Sequence, residues 1–163
     1  MEPLAHRLRP TKLSDVIGQE YLTGKDGIIT KMIENNHLQS FVLYGGPGTG
    51  KTTIGKIIKE MYSLESYEFN ASSDSKAILQ EITNLTKFYP NVILIIDEIH
   101  RMKKDTQDYL LPYLEDGRIT IIGLTTSNPY ISINKAIRSR LNIYQMNSIT
   151  EKDIVNLLKR TIK

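Results

Sequence analysis

Leu43-Tyr44-Gly45-Gly46-Pro47-Gly48-Thr49-Gly50-Lys51-Thr52-Thr53 leads from an apolar strand signal through a glycine-rich turn to a lysine and two threonines. Glycines at such a place let backbone N–H groups turn inward around an anion, and the start of a following helix adds its positive dipole end. The stretch satisfies G-x-x-x-x-G-K-[ST] through Gly45, Gly50, Lys51 and Thr52, with a strand before it and a helix after it. In that context the pattern is a phosphate loop. Gly45, Gly46, Pro47, Gly48, Thr49, Gly50 and Thr53 then wrap the phosphates, Lys51 reaches the β- and γ-phosphates, and Thr52 ligates Mg²⁺. The bland alternative is a glycine-rich turn without a ligand.

Working outward, short apolar runs at Phe41 to Tyr44, Tyr67 to Phe69, Val92 to Ile96, Ile119 to Leu124 and Ile143 to Met146 predict five strands separated by helical patterns. Val92 to Ile96 is apolar at every position, as in a central strand covered on both faces. The sheet is therefore expected to be mostly parallel and the class α/β. One helix, with Ile78, Ile82, Leu85 and Phe88 or Tyr89 on its stripe, is expected to be capped by Ser73 or Asp74. A second carries Leu110, Leu111 and Leu114 but contains Pro112, which removes a hydrogen bond and predicts a kink. Thr150 and Asp153 make a capping box before Ile154, Leu157, Leu158 and Ile162. That final stripe is expected to be the first helix of a following domain cut short by the chain end.

Ile95-Ile96-Asp97-Glu98 puts two carboxylates at the C-terminal end of the central strand, where open α/β sheets bind ligands. Asp97 is expected to hold Mg²⁺, directly or through water. Glu98 suits a different task, polarising a water for in-line attack on the γ-phosphate. The alternative is a solvated acidic turn.

A chain of 163 residues is the size of one domain. A formal charge of +3 tolerates a polyanionic partner without demonstrating one. No apolar run approaches a membrane span, and the first residues lack the apolar core of a signal peptide. The absence of cysteine fits a reducing, cytoplasmic setting. His6, His37 and His100 are scattered and read as ordinary polar residues rather than a zinc site.

Asp97-Glu98, Thr125 to Pro129 ("TTSNP") and Ala136 to Arg140 ("AIRSR") together resemble the AAA+ ATPase module, including the clamp-loader and RuvB helicase branch. The segments "PLAHRLRP", "DVIGQEYLTG", "IDEIHR", "QDYLLPYLEDGRITIIGLTTSNP" and "INKAIRSR" narrow the resemblance to the replication-associated recombination protein A family, related to the eukaryotic Werner-helicase-interacting protein. It covers essentially the whole chain. Gly46 departs from the Pro-Pro usual in this loop.

The resemblance implies a three-layer P-loop NTPase sandwich with strand order 5-1-4-3-2, an AAA+ core over residues 1–147 and the start of a lid over 148–163. It implies that Val16, Ile17 and Gly18 pack against adenine and that Asn128 is the sensor of the γ-phosphate or attacking water. Asn70 would hold the catalytic glutamate inactive, or be a plain turn residue; Arg7 and Arg9 would form an N-terminal arm, or be solvated charges. Arg140, with Arg138 as the other candidate, would be an arginine finger acting on a neighbouring subunit. The implied chemistry is Mg²⁺-dependent ATP hydrolysis, weak in this piece. The implied partners are further copies in a homo-oligomer, a tetramer, with DNA, especially single-stranded or forked ends, a single-stranded DNA-binding protein and replisome components; the implied place is the nucleoid. A RuvB-like branch-migration helicase, a clamp-loader subunit and a non-catalytic nucleotide switch are the alternatives.

Overall fold

A computed structural model of the chain describes residues 10–63 and 65–162. Runs too short and too β-branched for helix make five strands: β1 (Phe41–Tyr44), β2 (Ser66–Asn70), β3 (Val92–Asp97), β4 (Ile119–Thr125) and β5 (Asn142–Gln145). They form one sheet in the order β2-β3-β4-β1-β5, with every adjacent pair parallel. The expected α/β class and strand order are thus found. The register sets Asp97 beside Asn70 and Leu124, and Tyr44 beside Thr125 and Gln145. The strand ends that carry chemistry therefore share one edge of the sheet.

Parallel strands need crossovers, and helices supply them on both faces. One face holds a 3-10 turn at Leu13–Asp15, α1 (Glu20–Thr23), α2 (Ile28–Glu34) and α3 (Lys51–Met61). The other holds α4 (Lys76–Asn84), α5 (Lys104–Glu115), α6 (Pro129–Ser132) and α7 (Lys135–Arg138). α8 (Glu151–Ile162) follows β5. β3 divides its side chains by the period of two: Val92, Leu94 and Ile96 pack with Leu79, Ile82 and Leu110, while Ile93 and Ile95 pack with Phe41, Ile54 and Ile58. Each such buried side chain contributes roughly 1.5–3 kcal/mol relative to exposure.

Gly123, in the middle of β4, admits a close approach that positions the site. A Cβ there would lie 2.7 Å from Ile99 Cδ1 and 3.2 Å from Val42 Cγ2. The 3-10 turn Ile99–Arg101 that follows the acid pair docks on the sheet because no side chain stands in its way.

Three local expectations need correction. α4 begins at Lys76 after Ser75, with no side-chain cap. Asp74 instead spends its Oδ2 on the Asn70 N–H, at 2.8 Å, closing the turn after β2. Leu79 and Ile82 face inward, while Ile78 is exposed and Phe88 is 78% exposed. α5 runs through Pro112 to Glu115: Pro112 and Asp108 are both exposed, so the carbonyl deprived of an amide partner faces water. Finally, β2 and β5 start one residue earlier than expected.

The capping box forms as read: the Thr150 N–H donates to Asp153 Oδ2 at 2.9 Å, and the Asp153 N–H donates to Thr150 Oγ1 at 3.1 Å. On α8, Ile154, Val155 and Leu158 remain exposed.

Candidate nucleotide-binding site

The glycine-rich loop between β1 and α3 is a turn that other residues could not make without strain. Gly48 has φ +76° and Gly50 has φ +101°, both in the left-handed region, and Gly50 is the N-cap of α3. Thr49 Oγ1 donates to the Gly46 carbonyl at 2.9 Å, and the Gly45 N–H donates to the Thr125 carbonyl at 3.3 Å. Lys51 opens α3 and is 9% exposed. Its Nζ donates to the carbonyls of Gly45, at 2.7 Å, and Gly46, at 2.8 Å. Burial pushes the ammonium below the ordinary lysine value, against the pull of Asp97, which raises it. A cation held mainly by neutral carbonyls is under-compensated, and an anion in the loop would relieve it.

β3 delivers the opposing wall. Asp97 ends the strand, and its Oδ1 accepts the Glu98 N–H at 2.9 Å. Glu98 sits at φ +52°, a conformation that costs a non-glycine residue about 1–3 kcal/mol and is characteristic of functional turns. A cavity of about 420 Å³ is walled by Pro47, Gly48 and Gly50 to Thr53, by Asp97, Glu98 and His100, and by Leu124 to Thr126. An adjoining cavity of about 390 Å³ shares Thr52, Asp97 and Leu124 and extends to Lys56, Glu68 and Asn70. Thr52 and Asp97 line both cavities, and hard oxygen donors of the kind they carry suit Mg²⁺.

Three arrangements escaped the sequence reading. Asn70 does not touch Glu98; Ser72 stands between them. Ser72 Oγ lies 2.5 Å from Glu98 Oε2 and 2.7 Å from Asn70 Oδ1, which also accepts the Ser72 N–H at 2.9 Å. The signal was present in Asn70-Ala71-Ser72, whose serine was passed over. Gln19 is fully buried, and its Nε2 donates to the carbonyls of Thr49, at 3.1 Å, and Asn147, at 2.8 Å. Its Oε1 accepts the Asn147 N–H at 2.9 Å. One side chain therefore ties the loop to the segment between β5 and α8. Thr125 Oγ1 lies 2.7 Å from His100 Nδ1, which joins the ends of β3 and β4.

Val16 and Gly18 are buried and Ile17 is half-buried, beside the loop rather than in the cavity lining. A Cβ on Gly50 would lie 3.5 Å from Val16 Cγ1 and 3.7 Å from Met146 Cε, so these two form an apolar wall beneath the loop. Gly18, at φ +74°, lies under the capping box, where a Cβ would be 3.0 Å from Asp153 Oδ2. Arg160 spans the same junction, its guanidinium 3.8 Å from Asp15 Oδ1. Asn128 is not brought into the cavity: it is exposed, and its Oδ1 caps α6 by accepting the Tyr130 N–H at 2.9 Å. Thr126, two residues earlier, lines the cavity instead. Arg138 donates to the carbonyls of Tyr130, at 2.8 Å, and Ile133, at 3.0 Å. Arg140 is half-exposed, with Glu115 at 4.0 Å. Arg7 and Arg9 lie outside the described residues. No described helix is long and apolar enough to cross a membrane.

Comparison with known proteins places this geometry. Residues 8–150 match the family described as the Holliday junction DNA helicase RuvB P-loop domain. The chain is 46% identical to the replication-associated recombination protein A of Bacillus subtilis over 99% of its length, and 42% identical to the ATPase WRNIP1 of Dictyostelium discoideum, also over 99%. It spans 38% of the first relative and 19% of the second. Among solved structures, the Thermotoga maritima RuvB Holliday junction branch migration motor superposes with a TM-score of 0.76 at 28% identity, over 94% of this chain and 53% of the other. The chain therefore belongs to the RuvB P-loop domain family and, among those AAA+ P-loop ATPases, to the group of replication-associated recombination protein A and WRNIP1.

Proposed function

We propose that this chain is the ATP-hydrolysing core of a replication-associated recombination protein A-like ATPase. The observation that carries the reading is the buried Lys51 ammonium, held by loop carbonyls in a cavity whose opposite wall is Asp97 and Glu98. Two acids alone would repel a polyphosphate; with the lysine, the helix start and hard-cation ligands they form a site for one with its metal. Lys51 and the loop N–H groups orient the phosphates, and Thr52 and Asp97 hold Mg²⁺. When bound, that ion neutralises charge on the phosphate oxygens. Glu98 accepts a proton from the attacking water, and Val16, Ile17 and Gly18 supply the surface against which adenine packs.

Glu98 is held in reserve by Ser72, with Asn70 behind it, until a partner or DNA draws the serine away. Arg140 serves the nucleotide of a neighbouring copy, as the freer of the two arginines, and Asn128, in the turn between β4 and α6, senses the γ-phosphate once the site is filled. The core extends over residues 1–147, and α8 begins the lid domain over 148–163. Its contacts to Asp15 and Gly18 would carry lid movement to the base-binding segment. In the longer protein, homo-oligomers, tetramers by family resemblance, would couple turnover to remodelling of single-stranded or forked DNA at stalled replication forks, with a single-stranded DNA-binding protein and replisome components as partners, in the nucleoid of the cytoplasm. The second reading is a RuvB-like branch-migration motor, favoured by the family match and the structural likeness to RuvB.

The test is phosphate release from ATP by the protein, by Lys51→Ala and by Glu98→Gln. Turnover lost in both variants, with ATP binding kept in Glu98→Gln, supports the reading; unchanged turnover in both rejects it. Forked against four-way junction DNA as the stimulant separates the two motors.

A further inference from the structure

We infer that His100 offers its Nε2–H to the terminal phosphate of bound ATP, in the tautomer fixed by the Thr125 hydroxyl, so that the joined ends of β3 and β4 register whether that phosphate is present. This rests on the triphosphate reading above.

His100 lies in the 3-10 turn after the acid pair and walls the same cavity as Lys51, Thr52, Asp97 and Glu98. Its position is set, because neighbouring Ile99 is fully buried and fills the space over Gly123. Its Nδ1 is 2.7 Å from Thr125 Oγ1. That oxygen accepts the Ser127 N–H at 2.9 Å, and its own proton has two acceptors within reach, His100 Nδ1 at 2.7 Å and the Ser127 carbonyl at 3.4 Å. An O–H···O separation of 3.4 Å is far beyond the usual 2.5–3.0 Å, so the hydroxyl donates to Nδ1. A ring whose Nδ1 accepts carries its proton on Nε2.

Among the described residues no protein group takes up Nε2. A donor without a protein acceptor, in a ring that walls an anion-seeking cavity, is matched by a phosphate oxygen. Thr125 is 2% exposed and is hydrogen-bonded to Ser127, which precedes Asn128, the cap of α6. The chain then reaches α7 and Arg140, so a shift of the imidazole acts on the segment that would face a neighbouring copy.

The experiment is calorimetric titration, in Mg²⁺, with ADP and with the β,γ-imido analogue of ATP, together with nitrogen-15 NMR of the histidine rings. His100→Asn, which has no group at the Nε2 position, should weaken the triphosphate analogue about tenfold or more, the scale of a hydrogen bond to a charged group, and leave ADP unchanged. His100→Gln, whose amide reaches toward that position, should recover part of the loss. Thr125→Val should reproduce the loss and Thr125→Ser should restore binding. In the wild-type protein the His100 ring should be protonated on Nε2, and that nitrogen should shift with the triphosphate analogue and not with ADP. A ring protonated on Nδ1, or an unchanged triphosphate-to-ADP ratio in folded His100→Asn, overturns the inference. Wild-type protein that binds neither nucleotide overturns the triphosphate reading beneath it.

Discussion

Gln19→Ala should unfasten the phosphate loop from the segment leading to α8. The side chain is fully buried and takes part in three hydrogen bonds, two donated to the carbonyls of Thr49 and Asn147 and one accepted from the Asn147 N–H. The three bonds do not weigh equally. Asn147 is exposed and its backbone groups can turn to water, whereas Thr49 is buried, so its carbonyl is left unsatisfied and the amide leaves a void. An unsatisfied buried acceptor costs about 1–3 kcal/mol, and the void adds to it, so about 2–3 kcal/mol is the working figure. For a chain of this size 1 kcal/mol lowers the melting temperature by roughly 2–4 °C, which gives a drop of about 4–12 °C. Gln19→Glu should do at least as badly, since it sets a carboxylate oxygen against two carbonyls. Scanning calorimetry with and without ATP and Mg²⁺ reads both variants. A melting temperature within about one degree of wild type for Gln19→Ala would refute the reasoning, because the bonds would then bear no load.

Four further outcomes are expected. Ser72→Ala frees Glu98 from an exposed charge-assisted hydrogen bond worth no more than about 1.5 kcal/mol, so basal ATP turnover should rise, by up to roughly tenfold, in a phosphate-release assay; a fall in turnover would show that Ser72 assists Glu98 instead. Arg140→Ala should cut turnover of the assembled protein by roughly 10³-fold or more at an unchanged melting temperature, because its exposed pair with Glu115 is worth little. Arg138→Ala should instead lower the melting temperature, since it strips donors from Tyr130 and Ile133. Acid should loosen α8 through Asp153, whose carboxyl is held below its ordinary value of 3.8 by the Thr150 N–H and then the Thr150 hydroxyl. A depressed carboxylate contributes stability that is present above 3.8 and lost as pH falls through the folded value; amide exchange at Thr150 and Asp153 should therefore quicken only below that range, and a loss centred near pH 6 would contradict the assignment.

Much of the site was legible because phosphate binding is a local problem. A left-handed turn needs glycine, a dipole end needs a helix start, and both lie within a few residues of Lys51. The acid pair was legible for a similar reason, since the five apolar residues before it fix the strand that presents it. What escaped is non-local. Gln19 meets Asn147 across 128 residues of chain, and Thr125 meets His100 across 25; no spacing rule links such pairs. Asn128 is a sensor only by resemblance; Asn-Pro at a helix start is also a capping signal, and in the exposed turn after β4 Asn128 forms that cap. The stripe of α4 was ambiguous because Ile78 and Leu79 both stand at helical spacing from Ile82, and the structure buries Leu79 and exposes Ile78.

The central claim is that a triphosphate and its metal lie between the start of α3 and the acid pair at the end of β3. A crystal structure with a non-hydrolysable ATP analogue and Mg²⁺ tests it most directly. The account expects phosphate oxygens to replace the Gly45 and Gly46 carbonyls at Lys51 Nζ, with the metal between Thr52 and Asp97. Nucleotide bound elsewhere, or a loop that keeps its lysine on those carbonyls at saturating analogue, would contradict it.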